Sequence, residues 1–258
     1  MMLTAVIIVL REALEAALLT SVLLALSRLL MLSYRWFALS LLLGIVGACI
    51  YALNMSSVSE WFDYRGQELV NGLLQLFSFL SAVMVVIFVG LFGNQSLLKN
   101  WPIKLVLAIT MMMAVIREGA EIFIYVQGFL GDSEKFGSVL TGGLVGAAIG
   151  ASIGAILYYS LAFNNSQRAI LWCQLVLAVV ATGILSQVVP LFEQVDILPS
   201  TERLWDSSLF IDEQSLLGQL LYAIVGYEAT PSLYQLVVYI AGIAAFVAAL
   251  VIFQKRVR

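Results

Sequence analysis

The sequence predicts an all-α membrane protein with seven transmembrane helices, which form an inverted 3+3 repeat plus one extra helix. Of its 258 residues, 62% are hydrophobic and 11% are charged, whereas soluble domains are about half apolar and a quarter charged. Seven apolar stretches are long enough to cross a bilayer, which takes about 20 residues. One charged motif occurs twice, in the first and fourth stretches. No hydrophilic block is long enough to fold separately, so residues 1–258 are predicted to form a single transmembrane domain.

Polar or turn-forming segments separate the seven stretches. Two of these segments, "GNQSLLKNWP" and "FNNSQ", contain the glycine, proline and asparagine residues that are typical of loops. The predicted spans cover about residues 3–30, 36–54, 69–92, 103–130, 139–163, 169–189 and 233–253.

The basic residues at the helix ends predict the orientation, because lysine and arginine concentrate on the cytoplasmic side of membrane proteins. One set of ends carries eight of them: Arg28, Arg35, Lys99, Lys104, Arg168, Lys255, Arg256 and Arg258. The opposite set carries three: Arg65, Lys135 and Arg203. This asymmetry places the N-terminus outside and the C-terminus in the cytoplasm.

Acidic residues concentrate on the predicted outer face. Of the sixteen Asp and Glu residues, four belong to the repeated motif and the other twelve fall on that face. The longest outer segment, residues 190–232, holds seven acids and a single basic residue. A negative outer vestibule would raise the local concentration of cations. The apolar stretch 215–227 within it is too short to span, so we expect it to lie at the surface or to re-enter over the vestibule.

The repeated motif relates the first three helices to the next three. "VLREALEA" in helix 1 and "VIREGAEI" in helix 4 share V-x-R-E-x-x-E at the same place within a span. The copies are three helices apart, an odd number, so the two helices run in opposite directions, as in inverted-topology repeats. Repeat one covers about residues 1–92, repeat two about 103–189, and the extra helix about 233–253. Small-residue faces on helices 2 and 5 predict close packing: Gly44, Ala48 and Ala52, and Gly142, Gly146, Gly150 and Gly154.

Each motif places one arginine and two glutamates on one side of a helix. At about 100° per residue, Glu15 projects about 40° from Arg11, and Glu12 about 100° from it. Each charge near the centre of a membrane helix costs about 2.5–3.5 kcal/mol, or roughly 15–20 kcal/mol for the six charges of both motifs. We therefore expect these side chains to face the bundle interior.

The motif charges have two interpretations. Intrahelical ion pairs, Arg11 with Glu15 and Arg117 with Glu121, would act as structural polar contacts alone. Two arginines, however, face four glutamates, which leaves an excess of two negative charges in a region of low dielectric constant. Either some glutamates carry protons or a cation completes the balance, and a transport site would explain both.

The ligand types narrow the choice of cation. The chain has no histidine, and both cysteines lie in apolar stretches outside the motifs. Carboxylates alone form a hard oxygen site, which suits Fe³⁺, Mn²⁺, Mg²⁺ or Ca²⁺ better than Cu⁺ or Zn²⁺. Glutamates at positions i and i+3 of a helix lie about 5–6 Å apart, so two such pairs on opposed helices could enclose one ion.

R-E-x-x-E in helices 1 and 4 of a seven-helix protein resembles the high-affinity iron permease family, the oxidase-dependent iron transporters of fungi and bacteria. "GQEL" is similar to the family's glutamate-bearing entry to helix 3. "LWDSS", "LLGQLLYAIVGY" and "PSL" are similar to its segment before helix 7. The chain departs from the pattern at Asn71, where relatives often carry a second acid three residues after the helix 3 glutamate.

The resemblance implies a multi-pass protein of the cytoplasmic membrane that imports iron, as Fe³⁺ or as oxidase-coupled Fe²⁺. Iron is then the transported substrate, and no permanently bound cofactor is expected. The implied metal site is Glu12, Glu15, Glu118 and Glu121, with Arg11 and Arg117 in support. Glu68 and Asp206 are the candidate entry path, and a helix cap with Ser207 and Ser208 nearby is the alternative role of Asp206. The implied partners are iron ions, the lipid bilayer and a separate extracytoplasmic protein that oxidises or delivers iron. No nucleic acid is expected, and an oligomer is compatible with the sequence.

Other functions stay open on the residues alone. A carrier of another hard divalent cation such as Mn²⁺, or a proton-coupled carrier whose glutamates bind only protons, would use the same side chains. A membrane-embedded di-iron enzyme is disfavoured, because such sites use Glu-x-x-His pairs and the chain has no histidine. We therefore expect a transporter and not an enzyme.

Overall fold

The structure is a computed structural model that describes residues 1–92, 100–163 and 167–254, and within these ranges the chain is helical with no strand. The helices are α1 Met2–Leu29, α2 Arg35–Leu53, α3 Met55–Ser59, α4 Trp61–Tyr64, α5 Gly66–Phe92, α6 Trp101–Gln127, α7 Ser133–Ala162, α8 Gln167–Gln194, α9 Leu216–Val225 and α10 Leu233–Gln254. Each predicted span coincides with one long helix, namely α1, α2, α5, α6, α7, α8 or α10. The all-helical prediction is confirmed.

Five of the long helices described here can cross a membrane by length and composition: α2, α5, α7, α8 and α10. Many of their leucine, isoleucine and valine side chains are exposed, as contact with lipid requires. The chain is therefore a multi-pass membrane protein. Helices α1 and α6 are 28 and 27 residues long but carry the charged motifs. That they also cross the bilayer, which would make seven spans, stays a prediction.

Two helices, α7 and α8, extend well beyond one of their predicted ends, by six and five residues, for local reasons. Helix α7 begins at Ser133, before the expected residue 139, because the Asp132 side chain caps it by accepting the backbone N–H of Lys135 at 3.2 Å. Helix α8 continues past Pro190 to Gln194. A proline removes only one helical hydrogen bond, and this last turn of α8 packs on α5.

Helices α1 and α7 pack along each other in parallel. A Cβ atom on Gly142 would lie 2.5 Å from the carbonyl oxygen of Met2, and one on Gly154 would lie 2.8 Å from the Cβ of Ala17. The contacts therefore advance in the same direction along both helices. The small-residue face predicted for this helix is confirmed, and it is covered by α1, the helix that carries the first motif.

Helices α2 and α6 form a second parallel pair. Gly44 faces Val115, and Ala48 faces Gly119, so the shorter small-residue face of α2 packs against the helix that carries the second motif. The five-residue connection 30–34 returns the chain from α1 to α2. Helices α1 and α6 consequently run in opposite directions, as the odd spacing of the motifs predicts.

Helices α5, α8 and α10 complete the bundle. Helices α5 and α8 are antiparallel, since Gly72 faces Phe192 and Gln75 bonds to Gln187 further along. Helix α10 packs against both of them.

Helix α10 runs parallel to α5, since Phe246 contacts Phe79 and Phe253 faces Gly90. Asn71 near the start of α5 bonds to Glu121 near the end of α6, so these two helices are antiparallel. Within the described ranges the seven long helices thus alternate in direction along the chain.

The segment 190–232, which is predicted to lie on the outer side, contains the short helix α9 of 10 residues. Ser215 caps its N-terminus, with Oγ accepting the backbone N–H of Gly218 at 3.0 Å. Gly226 ends it with a left-handed φ of 67°, which glycine adopts without steric cost. The helix packs against α1 and α8. The stretch 215–227 is therefore part of the bundle and too short to span, as expected.

Only some of the basic residues that predict the orientation lie in the described ranges. Lys99, Lys255, Arg256 and Arg258 lie outside them. Arg28 lies over the Phe163 ring at 5.6 Å, which brings the last turn of α1 beside the end of α7. Arg65, at the opposite end, forms a 2.6 Å ion pair with Asp196. The orientation itself stays a prediction.

Candidate functional site

The two motif helices bring their charged residues together inside the bundle. Nη1 of Arg117 on α6 lies 2.9 Å from Oε2 of Glu15 on α1. Glu12, Glu15 and Glu118 are only 4%, 2% and 3% exposed. Charges facing lipid are costly, and these three carboxyl groups turn away from it.

Arg117 is the centre of the cluster. Besides Glu15, its Nη1 contacts Glu118 Oε1 at 2.5 Å, and its Nε contacts Glu121 Oε1 at 3.2 Å. One buried guanidinium thus contacts three carboxylates. Removing one partner of such a buried pair costs more than the pair contributes, because the other charge is left uncompensated.

Arg11 has the same place in its motif but different surroundings. Its Nε lies 3.6 Å from Glu15 Oε1 and 3.9 Å from Glu12 Oε1. Its guanidinium carbon lies 4.0 Å from the centre of the Tyr222 ring on α9. The Arg11 side chain is 31% exposed, against 7% for Arg117. Both intrahelical ion pairs considered from the sequence therefore exist, and the one made by Arg11 is the looser.

Glu12 of α1 and Glu118 of α6 are both buried, on two motif helices that pack against each other. One oxygen of each, Oε2, is buried without a hydrogen-bond partner among the described residues. The pair therefore has free acceptor capacity for a proton or a cation.

A cavity of about 500 Å³ leads to the cluster. Arg11, Arg117 and Glu121 line its inner part. Gln67 and Gln194 line it where α5 begins and α8 ends. The cavity thus connects one end of the bundle with the charged motifs, and Glu121, with 30% of its side chain exposed, is the motif carboxylate that it reaches.

Neutral amides connect the cavity wall to the motif carboxylates. Asn71 donates from Nδ2 to Glu121 Oε1 at 3.5 Å and accepts from the Tyr51 hydroxyl at 2.9 Å. Gln187 donates from Nε2 to Glu15 Oε2 at 3.5 Å and accepts from Gln75 at 3.0 Å. These side chains orient two of the four glutamates without adding charge.

Within the described ranges, no group of three or more acidic, histidine or cysteine side chains is arranged to hold a metal ion. The guanidinium of Arg117 occupies oxygens of three of the four motif glutamates. A cation can bind these oxygens only by replacing those contacts. The four-glutamate metal site stays a prediction.

Glu68 and Asp206, the residues of the expected entry path, have different surroundings. Glu68 is partly buried in the first turn of α5, between Gln67 and Asn71, which both line the cavity. Asp206 is exposed, and its carboxylate accepts the backbone N–H of Ser208 at 2.8 Å. Hydrogen bonds from Ser208 lower the pKa of Asp206, so this carboxylate is ionised at neutral pH. Their role in iron entry is untested.

Sequence reasoning missed the aromatic and amide side chains around the cluster: Tyr51, Gln75, Gln187 and Tyr222. Gln75 and Gln187 are 1% and 5% exposed, and each is an uncharged polar residue inside an apolar helix. That pattern could have identified them as residues with a polar partner inside the bundle, because buried polar groups in such helices need a hydrogen-bond partner. Tyr222 had no such signal, because its place depends on how α9 packs against α1.

Comparison with known proteins gives one clear result. A family model described as the iron permease FTR1 family matches residues 2–257. No curated protein and no solved structure matches the chain.

Proposed function

The chain belongs to the iron permease FTR1 family, and we propose that it imports iron ions across the cytoplasmic membrane through the carboxylate cluster between α1 and α6. Family membership identifies a transporter of iron. The observation that most supports this route is that Arg117 of α6 lies 2.9 Å from Glu15 of α1. The two motifs therefore belong to one buried cluster and not to two separate sites.

The proposal includes seven spans, with α1 and α6 crossing the bilayer, the N-terminus outside and the C-terminus in the cytoplasm. The alternating directions of the long helices support it. So does the exchange of partners between the halves of the chain, because α1 of the first half packs along α7 and α6 of the second half packs along α2. An inverted repeat with its site at the interface of the halves has this relation.

The proposed route begins at the acidic outer surface. Glu68 and Asp206 provide negative charge there, and the cavity then leads inward to Glu121 and Arg117. Four glutamates and two arginines carry a net charge of −2 when all are ionised. The net negative charge attracts a cation and repels anions.

The arriving ion replaces the guanidinium contacts of Arg117 and Arg11. In the empty cluster the arginines offset the repulsion among the carboxylates, and the ion takes over that role when it binds. Rocking of the two repeats then exposes the site to the cytoplasm. Protonation of the Glu12–Glu118 pair, or cytoplasmic reduction of the iron, would assist release.

The transported iron is Fe³⁺, or Fe²⁺ that is oxidised on entry. A separate extracytoplasmic protein would carry out the oxidation or deliver the iron. A carrier of another hard divalent cation, such as Mn²⁺, or a proton-coupled carrier is the alternative, since hard cations share oxygen ligands. Competition among iron, Mn²⁺ and Mg²⁺ for uptake, with and without a pH gradient, separates these functions.

Uptake of radiolabelled iron into proteoliposomes tests the proposed route. Glu12→Gln and Glu118→Gln keep the side-chain volume but remove the charge from opposite helices. We expect each to lower the initial rate at least about tenfold, the scale of effect typical of altered metal sites. The matched control is Glu134→Gln, on an exposed residue in the first turn of α7, which should leave the rate unchanged. Normal uptake by both cluster variants, in protein that assembles normally, would exclude this route.

A further inference from the structure

The two motif arginines hold equivalent sequence positions but have different partners. Arg117 is 7% exposed and lies within 3.2 Å of three glutamates. Arg11 lies no closer than 3.6 Å to a glutamate and is 31% exposed. The motif sequences alone give no reason for this difference. A residue outside both motifs contacts Arg11.

That residue is Tyr222, near the middle of α9. The Arg11 guanidinium carbon lies 4.0 Å from the centre of its ring, well within the roughly 6 Å over which a cation is attracted to an aromatic face. Both side chains also line the cavity that leads to the cluster. Tyr222 therefore holds Arg11 on the wall of the cavity.

Helix α9 is fixed so that this contact persists. Gly226, which follows its last residue, packs against Gly183 of α8, where an added Cβ on Gly183 would lie 2.8 Å from the Gly226 nitrogen. The helix also packs against α1 itself. These contacts set the position of Tyr222 relative to α1.

We propose that Tyr222 is a positioning residue that draws Arg11 away from Glu12 and Glu15. One oxygen of each, Glu12 Oε2 and Glu15 Oε1, is thereby left without a hydrogen-bond partner among the described residues and can bind the entering cation. This rests on the proposed function of the cluster. A guanidinium and a hard cation compete for the same carboxylate oxygens. An arginine that is already bound to an aromatic face competes less well, so the cation binds at a lower concentration.

The aromatic ring, and not the hydroxyl group, is the part of Tyr222 that matters. Tyr222→Phe should keep the wild-type KM for iron uptake into proteoliposomes. Tyr222→Leu should raise that KM between about twofold and thirtyfold, the range that corresponds to loss of a cation–π contact, with little change in maximal rate. Trifluorophenylalanine at position 222 keeps the shape of phenylalanine but weakens the negative face of the ring. It should raise the KM relative to Tyr222→Phe without a change in folding.

Arg11 supplies the matched control. In an Arg11→Gln background no guanidinium remains to be held, so Tyr222→Leu should produce no further rise in KM. A rise of the same size in both backgrounds would show that Tyr222 acts through packing and would overturn the proposal. An equal KM for phenylalanine and trifluorophenylalanine would also overturn it. This second comparison needs no leucine variant, so it decides the question even where Tyr222→Leu fails to fold.

The experiments distinguish failure of the Tyr222 proposal from failure of the proposed transport route. If Glu12→Gln abolishes iron uptake while the ring variants at position 222 behave like wild type, only the role of Tyr222 fails. If Glu12→Gln and Glu118→Gln both transport normally, the carboxylate route itself fails, whatever the ring variants do.

Discussion

At the scale of single residues, Arg117 holds the charged cluster together through its contacts with three glutamates. Sequence reasoning considered its intrahelical pair with Glu121 as one of two interpretations, and that pair exists at 3.2 Å. The contact that joins the two helices, with Glu15 at 2.9 Å, is shorter, and sequence reasoning did not specify it. Helix periodicity shows which side of a helix a charge occupies, but the partner across the interface depends on how the two helices cross.

Replacement of Arg117 should destabilise the protein strongly. Arg117→Gln leaves three glutamates without their shared counter-charge, and loss of one partner of a buried pair costs about 3–5 kcal/mol. Urea or thermal unfolding in detergent measures the loss. The control is Arg65→Gln, whose 2.6 Å pair with Asp196 is solvent-exposed and should contribute less than about 1 kcal/mol.

A second substitution checks the cause of this loss. Glu15→Gln combined with Arg117→Gln should recover part of the stability, because one uncompensated charge is removed, with a coupling energy of about 0.5–3 kcal/mol. Strict additivity of the two losses would contradict a direct interaction between the residues.

At the scale of helices, close packing of α7 on α1 sets the position of the first motif. A Cβ on Gly146 would lie 2.5 Å from the carbonyl oxygen of Val6 and 2.8 Å from the backbone nitrogen of Leu10. These atoms belong to the backbone and cannot rotate away. The small-residue face was predicted from its four-residue spacing, but the sequence did not reveal which helix covers it.

Gly146→Ala should therefore push α1 away from α7. We expect a loss of about 1–3 kcal/mol, typical of overpacking, together with reduced iron uptake, because α1 carries Arg11, Glu12 and Glu15. The matched control is Gly137→Ala on the same helix, where no heavy atom lies within 4 Å of the added Cβ. Unfolding and uptake are measured on both variants. Equal stability and uptake of the two would contradict the packing argument.

At the scale of the whole molecule, hydropathy predicted seven helices close to their observed bounds, because long apolar stretches have few alternatives to helices in a membrane. The spacing of three helices from one motif copy to the next, an odd number, predicted that α1 and α6 run in opposite directions. Sequence reasoning could not foresee the amide pair of Gln75 and Gln187, because it forms only where α5 and α8 pack in antiparallel fashion. Nor could it foresee the contact of α9 with Arg11, which depends on the packing of a short helix outside both repeats.

The symmetry between the halves of the chain is accordingly incomplete. The parallel pairs α1–α7 and α2–α6 correspond to each other, whereas the surroundings of Arg11 and Arg117 do not. The difference comes from α9, which packs against α1 and places Tyr222 beside Arg11.

The most direct measurement is equilibrium iron binding to the purified protein, with Fe²⁺ under anaerobic conditions and with citrate-buffered Fe³⁺. The wild-type chain should bind one iron ion tightly in at least one of these forms. Glu12→Gln on α1 and Glu118→Gln on α6 should each weaken the binding of that same ion at least about tenfold. Tight binding of one ion retained in both variants would contradict a site shared by the two helices.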